Sequence, residues 1–212
     1  MRFYHYYSSI ATEYGIGFYQ DQRYATALPC FHFSLAFVTC LDADDLTPPT
    51  ITVPELYMYI TKTYVQLTKY DEALRYTTIA INTDGADHSV PPEFLQVGAT
   101  VYSEAVELYN QGRFIEALPA FKIVLVVYNY FTIRPPYSAA TEVPMIKTYI
   151  ARTLRGIEQY ELALQYCREA IIDYSYIGYD INDRIVIDLT DLANDIFDRL
   201  HNVRPVNFAP SA

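Results

Sequence analysis

Apolar positions recur at three- and four-residue steps through most of this chain, the spacing of one face of an α-helix. Three polar, proline-bearing segments break that rhythm: residues 42–54, 83–92 and 132–144. Prolines and Asp-Gly end helices and make loops, so these segments divide the chain into units. Each unit reads as two helices, and the second helices align on one signature. Its four copies are Tyr24-Ala-Thr-Ala27-Leu-Pro-Cys-Phe31, Tyr70-Asp-Glu-Ala73-Leu-Arg-Tyr76, Phe114-Ile-Glu-Ala117-Leu-Pro-Ala-Phe121 and Tyr160-Glu-Leu-Ala163-Leu-Gln-Tyr166. Their anchors stand 46, 44 and 46 residues apart, and copies one and three, like copies two and four, are separated by 90. Fixed-period self-similarity of this kind marks a helical solenoid.

The expected class is all-α: a solenoid of about four helical hairpins closed by a C-terminal capping helix. The pattern predicts repeats over 3–41, 54–83, 93–131 and 144–176, a capping helix over 180–201, and a single domain ending there. Residues 202–212 read as an extended, proline-containing tail. In the third unit the first helix runs from Glu93 to Asn110, with Gly112 where a C-terminal glycine relieves the turn. Pro29 and Pro119 fall at or just past the first turn of their helices. The stretches after Phe31 and Phe121 are apolar almost all round, which predicts burial on most sides. Asp180 is the expected cap of the last helix, whose apolar side holds Ile181, Ile185, Leu189, Leu192, Ile196 and Leu200.

These anchors resemble the tetratricopeptide repeat (TPR). The matching residues are Gly15, Phe18, Tyr24, Ala27, Phe31 and Ser34 in the first copy, and Thr61, Tyr64, Tyr70, Ala73 and Ala80 in the second. Ala105, Leu108, Gly112, Phe114, Ala117 and Phe121 match in the third, and Ala151, Leu154, Tyr160, Ala163 and Ala170 in the fourth. The period near 45 exceeds the 34 of the standard repeat, which identifies a long-helix variant. The resemblance implies a concave groove lined by first helices that holds a peptide or partner helix. Carried over by offset, the groove shows Tyr19, Lys62, Tyr102, Tyr109, Asn110, Arg152 and Arg155. Its cations would meet partner carboxylates, with tyrosines giving rigid contact area.

Composition narrows the function further. The formal charge is −10 with only 15 Lys plus Arg, which disfavours nucleic-acid binding. No run of about 18 apolar residues occurs, so no membrane insertion is expected. Cys30, Cys40 and Cys167 give no disulfide framework and read as small core residues. His5, His32, His88 and His201 lie apart without ligand spacing, and His32 reads as a hydrogen-bonded core residue. No phosphate loop, metal motif or nucleophile elbow appears, so no catalytic residue, metal or cofactor is expected.

Two function classes follow. The first is a non-enzymatic scaffold for a protein or peptide partner, cytoplasmic by default because the chain shows no signal peptide. The second is a structural subunit that assembles head to tail into a filament, extracellular and O-glycosylated on its Thr/Ser/Pro loops. It is motivated by 22 tyrosines, by the aromatic first helix with Phe3, Tyr4 and Tyr7, and by the tail anchors Val206 and Phe208. Homotypic contact is expected under either.

Overall fold

The structure, a computed structural model, describes residues 2–39, 51–83, 90–132 and 141–202. Among these residues every regular element is an α-helix. Helices α1 (Arg2–Gln20) and α2 (Tyr24–Val38) form the first hairpin, and α3 (Val53–Gln66) and α4 (Tyr70–Asn82) the second. Helices α5 (Glu93–Asn110) and α6 (Phe114–Thr132) form the third, α7 (Glu142–Gly156) and α8 (Tyr160–Tyr176) the fourth, and α9 (Arg184–Asn202) follows. The all-α class and the paired helical hairpins expected from the sequence are therefore present.

One turn is used four times. Three residues separate the helices of every hairpin, and the middle one is left-handed: Gln22 (φ 59°), Thr68 (φ 55°), Gly112 (φ 74°) and Glu158 (φ 62°). The residue after it donates back across the helix end, as Arg23 N–Phe18 O (2.8 Å), Lys69 N–Tyr64 O (2.9 Å), Arg113 N–Leu108 O (2.9 Å) and Gln159 N–Leu154 O (2.9 Å). That six-to-one bond is the Schellman closure, which satisfies carbonyls a helix end would otherwise orphan. Only the third turn uses glycine, so three of the four carry the strain of a side chain at positive φ. Before α3, Thr52 and Glu55 form a reciprocal capping box: Thr52 N donates to Glu55 Oε2 (2.7 Å) and Glu55 N to Thr52 Oγ1 (3.3 Å).

The chain folds into two compact units, the first Met1–Ser103 with Lys122–Tyr130, the second Glu104–Phe121 with Phe131–Ala212. In the first unit Phe31, fully buried, lies so close to α1 that a Cβ on Gly15 would stand 2.7 Å from its ring. Ala27, Phe31 and Val38 of α2 pack with Leu56 and Ile60 of α3. Beside them Ser8, Thr12 and Ser34 satisfy one another in the core, Ser8 Oγ to Ser34 Oγ at 2.8 Å and Thr12 Oγ1 to Ser34 Oγ at 2.7 Å. Val127 of α6 lies beneath Gly98 of α5, and the Val90 amide donates to the Tyr130 hydroxyl at 3.3 Å.

In the second unit Ile146, Ile150 and Leu154 of α7 and Ala163, Cys167 and Ala170 of α8 are buried, with α9 packed on α8 and α7. Val186, Leu189 and Ile196 are the buried residues of α9. Asp180 is not its cap: the helix starts at Arg184, Ile181 is exposed, and the carbonyl of Asp183 accepts from Val186 and Ile187.

Helix α6 is 19 residues long with a mean hydropathy of 1.5, which by length and composition would suffice to cross a membrane. Ala120, Phe121, Ile123, Val124 and Val127 on it are fully buried, and core burial accounts for its hydrophobicity. Helix α2 behaves differently from expectation. Ala27, Phe31, Ser34 and Val38 are buried, but Phe33 is 49% exposed, its ring centre 4.4 Å from that of Phe37 with the planes tilted by 47°. Its apolar character is thus only partly spent on the core.

Candidate functional site

The sequence-predicted groove residues fall into two clusters, one in each unit. In the first, Tyr19 at the end of α1 makes edge contacts with Tyr24 (5.2 Å) and Tyr59 (6.4 Å), and Tyr59 stacks on Phe31 at 5.2 Å and 19°. In the second, Tyr109 contacts Phe114 (5.4 Å) and Tyr149 (5.6 Å), and Tyr149 stacks on Phe121 at 5.1 Å and 15°. Each residue of the second set stands 90 positions after its counterpart in the first. The duplication thus repeats a four-ring cluster, not merely helix positions. Edge and stacked ring pairs of this kind contribute about 0.5–1.5 kcal/mol each beyond burial. Tyr19 and Tyr109 consequently serve the packing between hairpins as well as lining a surface.

Beside each cluster lies a cation at one equivalent position, Lys62 on α3 and Arg152 on α7. Lys62 is half-buried in a cavity of about 260 Å³ with Tyr19, Gln66, Gln96, Thr100 and Val101. Its ammonium stands 5.7 Å from the centre of the Tyr59 ring. Burial holds the Lys62 pKa below its ordinary value, against the opposing pull of the Glu93 carboxylate. Among the described residues no carboxylate lies within ion-pair distance of Lys62.

Arg152 lines a second cavity, of about 310 Å³, with Tyr109, Phe114, Arg155, Glu158, Tyr160 and Arg199. Among the described residues it too has no ion pair. Arg155 is engaged differently: it and Arg199 share the carboxylate of Asp195 on α9, the Arg199 Nε–Oδ1 distance being 3.1 Å. Slight desolvation acts to raise the Asp195 pKa, but the two guanidiniums hold it below the usual carboxylate value. Of the remaining predicted residues, Asn110 is exposed at the end of α5 and Tyr102 is half-buried on it. Arg199 and the bridge through Asp195 were not anticipated, because they join helices distant in sequence with no motif between them.

Among the self-assembly candidates Tyr7 is 47% exposed on α1. Val206, Phe208 and the side chains of Phe3 and Tyr4 lie outside the described residues. His32 is half-buried, its Nε2 3.3 Å from the Tyr64 hydroxyl and its ring 5.3 Å from that of Tyr76. Cys167 is buried as expected, Cys30 is only half-buried, and Cys40 lies outside the described residues.

No family model matches the chain, and no curated protein is similar to it. Solved structures similar to it include the yeast histone chaperone Hif1, a scaffold protein recruiting protein complexes to core histones. That likeness has 14% identity and a TM-score of 0.41 and covers 92% of this chain and 93% of the other. A Podosopora anserina protein described as a kinesin light chain with nearly identical TPR-like repeats is similar at 13% identity and a TM-score of 0.40, over 91% of this chain and 86% of that one. At these values neither likeness carries an argument about partners.

Proposed function

We propose that this chain is a non-enzymatic scaffold that holds a protein or peptide partner on the exposed faces of its first helices. Tyr19 and Lys62 form the contact in one unit, which also holds Tyr102, and Tyr109 and Arg152 form it in the other, which also holds Asn110 and Arg155. The observation that carries the reading is the equivalence of Lys62 and Arg152. Both are partly buried cations beside a duplicated tyrosine, and among the described residues neither is ion-paired. A partly desolvated cation is stabilised when an anionic group completes its surroundings. In a chain with 25 Asp plus Glu and only 15 Lys plus Arg, a cation left without an ion pair is available to a partner's carboxylate.

The test uses a synthetic peptide of five glutamates flanked by alanines, titrated against the full chain at low salt with calorimetric or NMR detection. Binding weakened at least about fivefold by Lys62→Met, by Arg152→Met, or by both supports the reading, since a charge-assisted hydrogen bond contributes about 1.5–3 kcal/mol. Absence of binding at millimolar peptide, or binding indifferent to both substitutions, refutes it.

A further inference from the structure

One cavity is built twice in this chain, and its charge differs between the copies. Tyr19, Lys62, Val65 and Gln66 line the cavity of the first unit. Ninety residues on, Tyr109, Arg152, Arg155 and Gly156 line that of the second. Where the first unit places Val65, 4% exposed, the second places Arg155, whose side chain is 39% exposed. The second cavity also takes Arg199 from α9. Repeat packing does not ask for a guanidinium on this wall, since the first unit builds it with a valine.

Three guanidiniums therefore line about 310 Å³, in a chain whose 15 Lys plus Arg are outnumbered by 25 Asp plus Glu. Among the described residues their one ion-pair partner is Asp195. Its carboxylate accepts from Arg199 Nε, at 3.1 and 3.2 Å to the two oxygens, and pairs with Arg155 Nε. The terminal nitrogens of Arg155 and every nitrogen of Arg152 have no hydrogen bond or ion pair among the described residues. Glu158, the carboxylate in the lining itself, is exposed at the turn and pairs with none of the three. With Glu158 and Asp195 both counted, the cavity still holds more positive than negative groups.

The number of donors selects the ligand. A guanidinium carries about five N–H donors and a carboxylate about four lone-pair sites, so one carboxylate leaves most of this set unused. A phosphoryl group brings three terminal oxygens and a charge of about −1.5 to −2, the chemistry that clustered arginines recognise. Building on the scaffold function proposed above, we infer that this cavity receives a phosphorylated side chain of the protein partner, held by Arg152, Arg155 and Arg199 beside Tyr109 and Tyr160. Asp195 is then an internal competitor, which the phosphate displaces in part from Arg155 and Arg199.

The experiment titrates short alanine peptides with blocked termini into the full chain, their central residue phosphoserine, glutamate or serine. The phosphoserine peptide is expected to bind at least about tenfold more tightly than the glutamate peptide, and Arg155→Met or Arg199→Met to weaken it at least about fivefold. Arg168→Met removes an exposed arginine of α8 outside the cavity, controls for net charge, and is expected to leave binding unchanged. Asp195→Asn frees both of its guanidiniums and is expected to tighten binding, a gain that partial unfolding cannot imitate. Inorganic phosphate is expected to compete only at higher concentration than the peptide itself. Equal binding of the phosphoserine and glutamate peptides, indifference to both arginine variants, no gain in Asp195→Asn, or inorganic phosphate competing as well as the peptide would each overturn the inference. Pentaglutamate binding that still depends on Lys62 after such a result would leave the scaffold function standing, whereas a chain that binds no peptide at all refutes both.

Discussion

The Phe121 and Tyr149 rings stack 5.1 Å apart with their planes 15° from parallel, tying α6 to α7 inside the second unit. Phe31 and Tyr59 repeat the geometry inside the first. Both phenylalanines are fully buried, and each also bears on the tyrosine at the end of the preceding first helix or on a glycine within it. Phe31→Ala and Phe121→Ala are each expected to lower stability by about 3–5 kcal/mol, as full truncation of a buried phenylalanine does. Urea denaturation followed by circular dichroism measures this. A loss below about 1 kcal/mol at either site would show that the stack is dispensable there.

The four turns give a cleaner comparison, because one backbone conformation is occupied by four residue types. Gln22→Gly, Thr68→Gly and Glu158→Gly should each stabilise the chain by a few tenths to about 1 kcal/mol, because a left-handed side chain costs about 1–2 kcal/mol and the added freedom of the unfolded glycine offsets part of the gain. Gly112→Ala should destabilise it by about 1 kcal/mol for the converse reason. Opposite signs at equivalent positions in thermal melts are the signature; the same sign at Gln22 and Gly112 would contradict it.

Protonation of His32 sets a mild acid sensitivity. Burial among Tyr64 and Tyr76 holds its pKa below the ordinary 6.5, so between those two values the unfolded chain binds more protons than the folded one. Stability therefore falls as pH drops through 6.5 and levels off below the folded-state pKa. Glu116 and Asp195, whose pKa values are lowered by Arg113 and by Arg155 and Arg199 respectively, lose their contribution only in the acid range below their ordinary 4.5 and 3.8. Melting temperatures at pH 7.5 and 5.5 should differ for the wild-type chain. The part of the difference owed to His32 should vanish in His32→Phe.

Cys167 should be chemically silent. Burial raises its thiol pKa to about 11, against a small opposing effect of Arg152. At pH 8 the native chain is expected to be alkylated by iodoacetamide at the half-exposed Cys30 at least about tenfold faster than at Cys167, with both reacting in denaturant. Peptide mapping by mass spectrometry reads the ratio. Because the folded thiol keeps its proton between pH 9 and about 11, Cys167 also withdraws stability as pH rises through that window.

Periodicity is a local signal, and what it made legible was local. The spacing of Tyr24, Tyr70, Phe114 and Tyr160 located four turns, because each stands at the first residue of a second helix. Gly112 announced the left-handed turn, whereas Gln22, Thr68 and Glu158 could be assigned one only by alignment with it. The apolar spacing that begins at Ile181 puts the start of α9 at Asp180, whereas the amides of Val186 and Ile187 bond to Asp183. Offset from the small residues put Tyr19 and Tyr109 on the first-helix face. That each also closes a four-ring cluster was visible in principle, since all four members recur as aromatics 90 residues apart. The Arg155–Asp195–Arg199 bridge was not visible, because nothing in the spacing of those residues distinguishes it from solvated charges.

Helices α5 and α6 each contribute residues to both units, and the first unit takes Lys122–Tyr130 only after 18 intervening residues have gone to the second. The order of synthesis therefore matters. A nascent chain that has reached Asn110 holds two complete hairpins but lacks Val127 to cover Gly98 and Tyr130 to receive the Val90 amide. No single cut in the polypeptide yields the two units as separate pieces. Expression of either alone calls for a circularly permuted or grafted α6.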